Sequence, residues 1–191
     1  HLAANDDAKQ RLIKMGEEPE KVFSVGCPSI DAIKNICTLS KKEILEKYQL
    51  RTPYALVLQH PVTSEIEDTD QQIVSTIDAV LESGISALMI YPNNDAGYTS
   101  IVSQLNKTKI RHVPTLSLKD YVSLLKHSSL LIGNSSSGIH ETATFHIPTI
   151  NIGTRQSGRL RPKNVLDVDY DKEEILSAIY ECLSSEEFLE T

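Results

Sequence analysis

The sequence has few cysteines, no long apolar run and fewer basic than acidic residues, and each shortage excludes a class of protein. The three cysteines, Cys27, Cys37 and Cys182, are scattered and form no C-x-x-C pair, which argues against a disulfide framework and a zinc site. No apolar run approaches the roughly 20 residues that a membrane-spanning helix needs, and no signal-peptide pattern is present. We therefore expect a soluble, cytoplasmic protein with no membrane partner and no metal.

The charge and length limit the function further. The net charge is −7, which makes nucleic acid an unsuitable partner because its binding requires a basic field. A chain of 191 residues with 40% hydrophobic content predicts about one well-buried domain. The chain begins at His1 without a methionine and enters a helical pattern at once, so we expect a fragment of a longer protein.

The stretch from Leu130 to Pro148 predicts a strand, a tight turn and the start of a helix. A short apolar run ends at Gly133, the residues Asn134-Ser135-Ser136-Ser137-Gly138 follow, and apolar residues then recur at roughly helical spacing. A helix start offers unpaired N–H groups and a positive dipole end, and serine hydroxyls add donors. This turn is a candidate phosphate site, and Glu141 follows where it could accept hydrogen bonds from sugar hydroxyls.

The same residues also fit a simpler interpretation, a serine-capped helix in an ordinary α/β domain. Two sharper motifs are excluded by spacing. Gly133 and Gly138 are five residues apart, whereas a nucleophile elbow requires Gly-x-Ser-x-Gly. Neither the Walker pattern nor Gly-x-Gly-x-x-Gly occurs in the chain.

Apolar runs alternate with amphipathic segments along nearly the whole chain. This alternation predicts an α/β fold with a parallel sheet and helices on both faces. One long helix is expected from Glu65 to Ser83. Polar clusters follow the predicted strands, at residues 26–29, 59–61, 92–97 and 133–141. Since ligands bind at the carboxyl ends of parallel strands, we expect these clusters to share one edge of the sheet and to form a pocket for a phosphorylated ligand.

A basic loop follows the last core strand, Thr149–Ile152. It contains Arg155, Arg159 and Arg161 within seven residues of an otherwise acidic chain. The planar guanidinium group matches phosphate oxygens. The loop therefore fits an anion contact, although a solvated surface loop remains an alternative.

With these residues in view, the chain resembles the carboxy-terminal domain of the hydrolysing UDP-N-acetylglucosamine 2-epimerases of sialic acid and related nonulosonate synthesis. The matching motifs run in family order across nearly the whole chain: Gly26-Cys-Pro-Ser29, Leu58-Gln-His-Pro-Val-Thr63, Tyr91-Pro-Asn-Asn-Asp-Ala-Gly97, Gly133-Asn-Ser-Ser-Ser-Gly138 with Glu141, and Asn151-Ile-Gly-Thr-Arg-Gln-Ser-Gly-Arg159. The resemblance implies one half of a glycosyltransferase-B-type two-domain fold. Residues 1–191 would form the UDP-binding, Rossmann-like domain, and the amino-terminal domain would be absent.

The resemblance also implies a role for individual residues. UDP would be bound by Ser135, Ser136, Gly138, Glu141, Arg155 and Asn93, with Glu141 on the ribose hydroxyls and Asn93 as a polar contact near the sugar or phosphate. His60 would be the catalytic residue in this half and supply a proton or a positive charge. The family's reaction eliminates UDP from UDP-N-acetylglucosamine and hydrates the intermediate to N-acetylmannosamine. No cofactor is implied, and the full-length protein is expected to form a homo-oligomer.

Two rival functions stay open on the sequence alone. A glycosyltransferase of the same architecture would use a similar nucleotide site but transfer the sugar to an acceptor. A non-catalytic nucleotide-sugar sensor would bind without turnover. The sugar itself, N-acetylglucosamine or a 2,4-diacetamido variant, is left undecided because much of the sugar pocket would lie in the missing half.

Overall fold

The computed structural model describes residues 1–184 and divides the chain into two compact units. The first unit comprises His1–Ile36. It contains strands β1 (Leu2–Ala3) and β2 (Phe23–Ser24), which pair in parallel, and helices α1 (Asp6–Lys14) and α2 (Pro28–Lys34). Asn5 caps α1, because the Asn5 side chain accepts a hydrogen bond from the Ala8 N–H at 2.8 Å.

The second unit, from Cys37 onward, is built on a six-stranded parallel sheet. The strands are β3 (Tyr54–Leu58), β4 (Ser86–Ile90), β5 (Arg111–Val113), β6 (Leu130–Gly133), β7 (Thr149–Ile152) and β8 (Val165–Val168). Their spatial order is β5-β4-β3-β6-β7-β8, and every neighbouring pair is parallel. The expected parallel sheet is confirmed.

Helices cover both faces of this sheet. They are α3 (Lys41–Tyr48), α4 (Thr69–Ser83), α5 (Tyr98–Leu105), α6 (Leu118–His127), α7 (Ser137–Thr144) and α8 (Lys172–Ser184). Strand β3 shows how the faces divide, because alternate residues of a strand point to opposite sides. Ala55 and Val57 join one apolar cluster with α4, α5 and α8, whereas Leu56 joins a second cluster with α3 and α6.

One predicted element differs from the structure. The expected helix from Glu65 to Ser83 begins only at Thr69, and a 3-10 segment, Thr63–Asp68, precedes it. Within that segment Glu65 has non-helical dihedrals, φ −127° and ψ 28°. The Glu65 carboxylate accepts hydrogen bonds from the hydroxyl of Thr154 and from Nε2 of Gln72. The Thr154 contact is long-range, and helical periodicity does not predict it.

No helix within residues 1–184 is long and apolar enough to cross a membrane.

Cys182 is buried in the α8 contact with the sheet, and burial raises the pKa of its thiol to about 12.

Candidate functional site

The order of the strands places a crevice at the carboxyl ends of β3 and β6. Along the chain the strands proceed outward from β3 to β5, and then resume beside β3 at β6. Such a reversal of strand order leaves a gap between the two neighbouring connections, and ligands of open α/β sheets bind there. The polar residues that directly follow β3 and β6 include His60 and Asn134.

Asn134 is the centre of the hydrogen bonding at this edge and is fully buried. Its Oδ1 accepts from the His60 backbone N–H at 2.7 Å, and its Nδ2 donates to the His60 carbonyl at 2.8 Å. Its own carbonyl accepts from Arg155 Nη1 at 3.2 Å and from Gln156 Nε2 at 2.7 Å. Asn134 therefore joins the residues that follow three neighbouring strands, β3, β6 and β7, into one network.

His60 is held as a neutral imidazole. It is 8% exposed, and its Nδ1 accepts a hydrogen bond from the Asn93 backbone N–H at 3.2 Å. Burial lowers the pKa of His60 from 6.5 to about 4, and the positive charge of Arg155 acts in the same direction, while Asp95 opposes it. Because Nδ1 is the acceptor, the proton of the neutral ring is on Nε2. His60 thus presents an Nε2–H hydrogen-bond donor, and its catalytic role stays a prediction.

The basic loop divides into arginines with different partners. Arg155 joins the Asn134 network as described. Arg161 Nε donates to both oxygens of Asp167, at 3.1 and 2.9 Å, and its Nη1 donates to the Gln156 carbonyl at 2.8 Å. Arg159 Nη1 lies 3.2 Å from His140 Nε2. Arg155 thus donates directly to Asn134, the residue that also holds His60, whereas Arg161 reaches the network through the main chain of Gln156.

The serine turn depends on the close approach of two backbones at Gly133. Gly133 has φ +131°, and a Cβ atom there would lie 2.1 Å from the Leu58 carbonyl oxygen. Only glycine fits where the ends of β3 and β6 come this close. The Asn134 N–H donates to the same carbonyl at 3.1 Å. The turn therefore lies directly against the residues that follow β3.

The donors of the turn differ in part from the sequence expectation. The N–H groups of Gly138 and Ile139 already donate to the carbonyls of Ser135 and Ser136, at 3.1 and 3.0 Å. Ser136 occupies the N-cap position of α7 but makes no capping hydrogen bond to the described residues. Ser135 is buried, and its Oγ accepts a long, 3.4 Å bond from the Ser137 N–H. The serine hydroxyls are thus better candidates for anion donors than the amides of the first turn.

Gly138 has a packing role in the structure. A Cβ atom at this position would lie 2.6 Å from Thr149 Cγ2 and 3.3 Å from Leu131 Cδ2. The absence of a side chain lets α7 lie close against β6 and β7. The Gly138 N–H already donates to the Ser135 carbonyl, so it is not free to donate to UDP. The contact between Gly138 and UDP stays a prediction.

Glu141 lies one turn into α7 and is half-buried. Its Oε2 accepts a hydrogen bond from the hydroxyl of Tyr121 on α6 at 2.5 Å. Asn93, after β4, is exposed, and its visible contact is the backbone hydrogen bond to His60. Asn93 therefore orients the His60 ring through its main chain.

The cluster at residues 26–29 was expected on the same sheet edge, and this was wrong. It follows β2, which pairs with β1 in the first unit and does not belong to the six-stranded sheet. The strand Phe23–Ser24 is two residues long, so the pattern of strand, turn and helix gave no indication that the sheet was a separate one.

The residues found together at the crevice form no group of carboxylate, imidazole and thiol ligands. Across residues 1–184, no three such side chains are close enough to hold a metal ion. The arrangement consists of donors: the His60 imidazole, the serine hydroxyls and the Arg155 guanidinium. Donors of this kind bind an anion, and the carboxylate of Glu141, one turn further along α7, can accept from hydroxyl groups.

Comparison with known protein families identifies the group to which this geometry belongs. A family model described as UDP-N-acetylglucosamine 2-epimerase matches residues 1–191. The chain belongs to the UDP-N-acetylglucosamine 2-epimerase family. The resemblance inferred from the sequence motifs is confirmed at this level.

Curated relatives support the same assignment. The UDP-N-acetylglucosamine 2-epimerase of Neisseria meningitidis serogroup B is 35% identical over 192 residues, which cover 98% of this chain and 51% of the relative. The UDP-N,N'-diacetylbacillosamine 2-epimerase (hydrolyzing) of Legionella pneumophila is 33% identical over 190 residues, which cover 96% of this chain and 50% of the relative. The chain spans about half the length of the curated relatives it matches.

A solved structure shares the fold. A crystal structure of a UDP-GlcNAc 2-epimerase from Neisseria meningitidis, bound to UDP-GlcNAc, matches with a TM-score of 0.78 at 18% identity, covering 100% of this chain and 54% of that chain. The fold is thus that of half of a UDP-N-acetylglucosamine 2-epimerase, as expected from the glycosyltransferase-B resemblance.

Three residues of the candidate site are not predicted from the sequence. Asn134 lies within the serine motif and Gln156 within the basic loop, but neither is among the expected UDP contacts, and Tyr121 lies outside every motif that carries the resemblance. The signal for Asn134 was its place directly after a buried strand, which had already drawn attention to His60. The Tyr121 and Gln156 contacts are long-range in sequence and have no local signal.

Proposed function

We propose that the chain is the nucleotide-binding half of a hydrolysing UDP-N-acetylglucosamine 2-epimerase, which converts UDP-N-acetylglucosamine and water to UDP and N-acetylmannosamine. The observation that carries this proposal is the Asn134 network, which brings His60 and Arg155 to the crevice beside the serine turn. UDP would lie there, with its diphosphate against Ser135, Ser136 and Arg155.

The chemistry of the donors suits a departing diphosphate. When the bond between the sugar and the diphosphate breaks, negative charge develops on the leaving oxygens. Donors that are already aligned stabilise this charge more in the transition state than in the substrate. Their alignment here comes from the buried Asn134, which holds the His60 backbone on one side and Arg155 on the other.

His60 would act through its Nε2–H. Its pKa is about 4, so the ring is neutral at pH 7. A bound diphosphate would bring negative charge close to the ring and raise this pKa. The neutral ring would donate its Nε2–H to the diphosphate, and a ring that takes up a proton from water at the raised pKa would give that proton to the departing oxygen.

The hydrolysing branch and the choice of sugar rest on the relatives. The Legionella relative carries the designation hydrolyzing and acts on UDP-N,N'-diacetylbacillosamine, whereas the Neisseria relative is named for UDP-N-acetylglucosamine. The identities, 33% and 35%, are too similar to rank the two substrates. A 2,4-diacetamido sugar is therefore the second candidate substrate.

The rest of the reaction would depend on the other half of the protein. Proton transfer at the sugar requires acidic groups that we expect in the amino-terminal domain. We propose that the full-length protein is a cytoplasmic homo-oligomer, and that residues 1–191 alone bind UDP weakly and turn over no substrate.

Product analysis tests the proposal. The full-length protein is incubated with UDP-N-acetylglucosamine, and separately with UDP-N,N'-diacetylbacillosamine, without any sugar acceptor. NMR should detect UDP and a free 2-epimer. Formation of UDP-N-acetylmannosamine would indicate the non-hydrolysing reaction, transfer that needs an acceptor would indicate a glycosyltransferase, and binding without turnover would indicate a sensor. Substantial turnover by residues 1–191 alone would contradict the division of labour.

A further inference from the structure

The contact between Tyr121 and Glu141 links two helices beside the crevice. Tyr121 is on α6, which precedes β6, and Glu141 is on α7, which follows it. The phenol oxygen lies 2.5 Å from Glu141 Oε2. A hydrogen bond from a hydroxyl to a carboxylate is short and strong when it is charge-assisted, and this distance is at the short end of that range.

The direction of this hydrogen bond is fixed by the chemistry of the pair. Burial raises the pKa of Tyr121 well above its usual range, and the Glu141 charge and the hydrogen bond to it raise it further, while a hydrogen bond with Ser137 opposes the rise. The phenol is therefore protonated at physiological pH and donates to Glu141. An ionised carboxylate has two oxygens and accepts only. Within residues 1–184, Oε2 is occupied by Tyr121 and Oε1 has no hydrogen-bond partner, so Oε1 can accept from a ligand.

We propose that Tyr121 is a positioning residue that orients the Glu141 carboxylate toward the ribose diol, so that the site selects ribonucleotides over 2'-deoxyribonucleotides. This inference rests on the proposed function, since it takes the ligand to be a UDP-sugar whose diphosphate lies at the serine turn. A carboxylate with one oxygen tied to a rigid phenol can rotate little. Its second oxygen then meets a vicinal diol with a defined geometry, and loss of one diol hydroxyl removes a donor.

A purely structural role for the pair makes a different prediction. If Tyr121 only ties α6 to α7, its loss should lower stability and leave the preference for ribose unchanged. The ratio of the dissociation constants of dUDP and UDP therefore separates the two roles. This ratio cancels the contribution of the diphosphate and the base, which are the same in both ligands.

The chain contains a matched control in Tyr54. This tyrosine is fully buried in β3, and its hydroxyl donates to the Leu124 carbonyl at 2.6 Å. Tyr54→Phe and Tyr121→Phe each delete one hydroxyl donor from a tyrosine whose pKa burial raises. The acceptor of Tyr54 is a core carbonyl, whereas the acceptor of Tyr121 is the candidate ribose ligand.

The experiment measures UDP and dUDP binding to the full-length protein by calorimetry, with thermal unfolding as a folding check. Wild type should prefer UDP by about tenfold or more, as expected for one hydroxyl bonded to a charged acceptor. Tyr121→Phe should weaken UDP binding about fivefold and leave dUDP binding within about twofold. Glu141→Gln should bring the ratio close to one. Tyr54→Phe should retain the wild-type ratio.

Each alternative outcome overturns a defined claim. An unchanged ratio in a folded Tyr121→Phe variant, with Glu141→Gln still lowering it, overturns the role of Tyr121 alone. Absence of UDP binding by wild type overturns the proposed function together with this inference. If Tyr121→Phe does not fold, Glu141→Asp provides the test, because it keeps the charge but withdraws the carboxylate from Tyr121. Retention of the full ratio by Glu141→Asp would equally overturn the inference.

Discussion

The two edges of the six-stranded sheet at which its parallel strands begin and end each contain a buried asparagine, but the two asparagines bind different kinds of group. At the edge where the strands begin, Asn164 precedes β8 and donates to the Ile147 carbonyl at 2.6 Å and to Thr142 Oγ1 at 3.2 Å. Thr149 also donates to Thr142 Oγ1, at 2.9 Å. These hydrogen bonds connect neutral groups, and they join α7 to β7 and β8.

At the edge where the strands end, Asn134 gathers groups that carry or can acquire charge. It holds the backbone of His60 and accepts from Arg155. Within residues 1–184, the buried oxygens Gln59 Oε1, Asn151 Oδ1 and Gln156 Oε1 have no hydrogen-bond partner, and all three lie in or after the carboxyl halves of β3 and β7. Buried acceptors without partners cost stability. Asparagine therefore has two roles here: Asn164 stabilises the fold where the strands begin, and Asn134 organises the candidate site where they end.

The largest effect is expected from removing the central amide of each edge. Asn134→Ala leaves the buried N–H and carbonyl of His60 unpaired, and Asn164→Ala does the same to the Ile147 carbonyl. We expect each substitution to lower the free energy of unfolding by about 2–4 kcal/mol, measured by urea denaturation.

The two variants should differ in ligand binding. Folded Asn134→Ala should bind UDP more weakly, because His60 and Arg155 lose their common support. Folded Asn164→Ala should bind UDP like wild type. An equal loss of affinity in both variants would remove the distinction between the edges.

The next effect concerns the pH dependence of stability. The pKa of His60 is about 4 in the folded protein against 6.5 ordinarily, so the folded state favours the neutral ring. This contribution is fully present above about pH 6.5 and is lost as the pH falls toward 4. The change corresponds to about 3 kcal/mol. Urea unfolding of His60→Gln at pH 7 and pH 4.5 should show correspondingly less acid destabilisation than wild type.

Asn164→Ala is the control for this measurement. This variant keeps His60, so its free energy of unfolding should decrease between pH 7 and pH 4.5 by the same amount as that of wild type. If wild type and His60→Gln lose the same free energy of unfolding between pH 7 and pH 4.5, His60 is not buried as a neutral group.

A smaller effect is expected from the charged residues near the crevice. Arg155→Ala in the basic loop and Glu141→Ala in α7 should each lower UDP affinity by about 1–3 kcal/mol, because each removes a charged hydrogen-bonding group from the candidate site. Arg161→Ala should leave the affinity unchanged, since Asp167 already binds that guanidinium. Calorimetry measures the UDP affinity of the three variants. A larger loss of UDP affinity in Arg161→Ala than in Arg155→Ala would exclude Arg155 from the site.

The smallest effect is expected from two serines that precede helices. Ser40 caps α3 in a reciprocal capping box with Glu43, whereas Ser136 makes no capping bond to residues that the structure describes. Ser40→Ala should lower the free energy of unfolding by about 1 kcal/mol without changing UDP affinity. Ser136→Ala should lower UDP affinity by about 0.5–1.5 kcal/mol with little loss of stability. The reverse pattern would make Ser136 an ordinary helix cap.

Much of the fold could be predicted because its signals are local. The apolar run Tyr54–Leu58 is typical of a buried strand, a serine such as Ser40 directly before a helical pattern is typical of an N-cap, and the spacing of apolar residues indicates the helix Leu118–His127. The predicted helix from Glu65 to Ser83 begins only at Thr69, and the Glu65 carboxylate is instead held by Thr154, 89 residues away in sequence. Periodicity carries no information about such a contact.

The site could be predicted in outline and not in its connections. Strand-end placement identified His60, and the serine turn identified Ser135 and Ser136 as candidates. It did not show that Asn134 would join three strand ends, or that Tyr121 would occupy one oxygen of Glu141. These links depend on strand order, and alternation alone predicts a parallel sheet without specifying which strands are neighbours.

The glycine at position 133 sets how closely two strand ends can approach. With 2.1 Å between a hypothetical Cβ and the Leu58 oxygen, two main chains touch there and leave no room for a side chain. Any substitution at this position has to move the end of β6 away from the end of β3. Asn134 is the next residue and is hydrogen-bonded to the main chain of His60, so the spacing of the candidate site depends on the absence of a single methyl group.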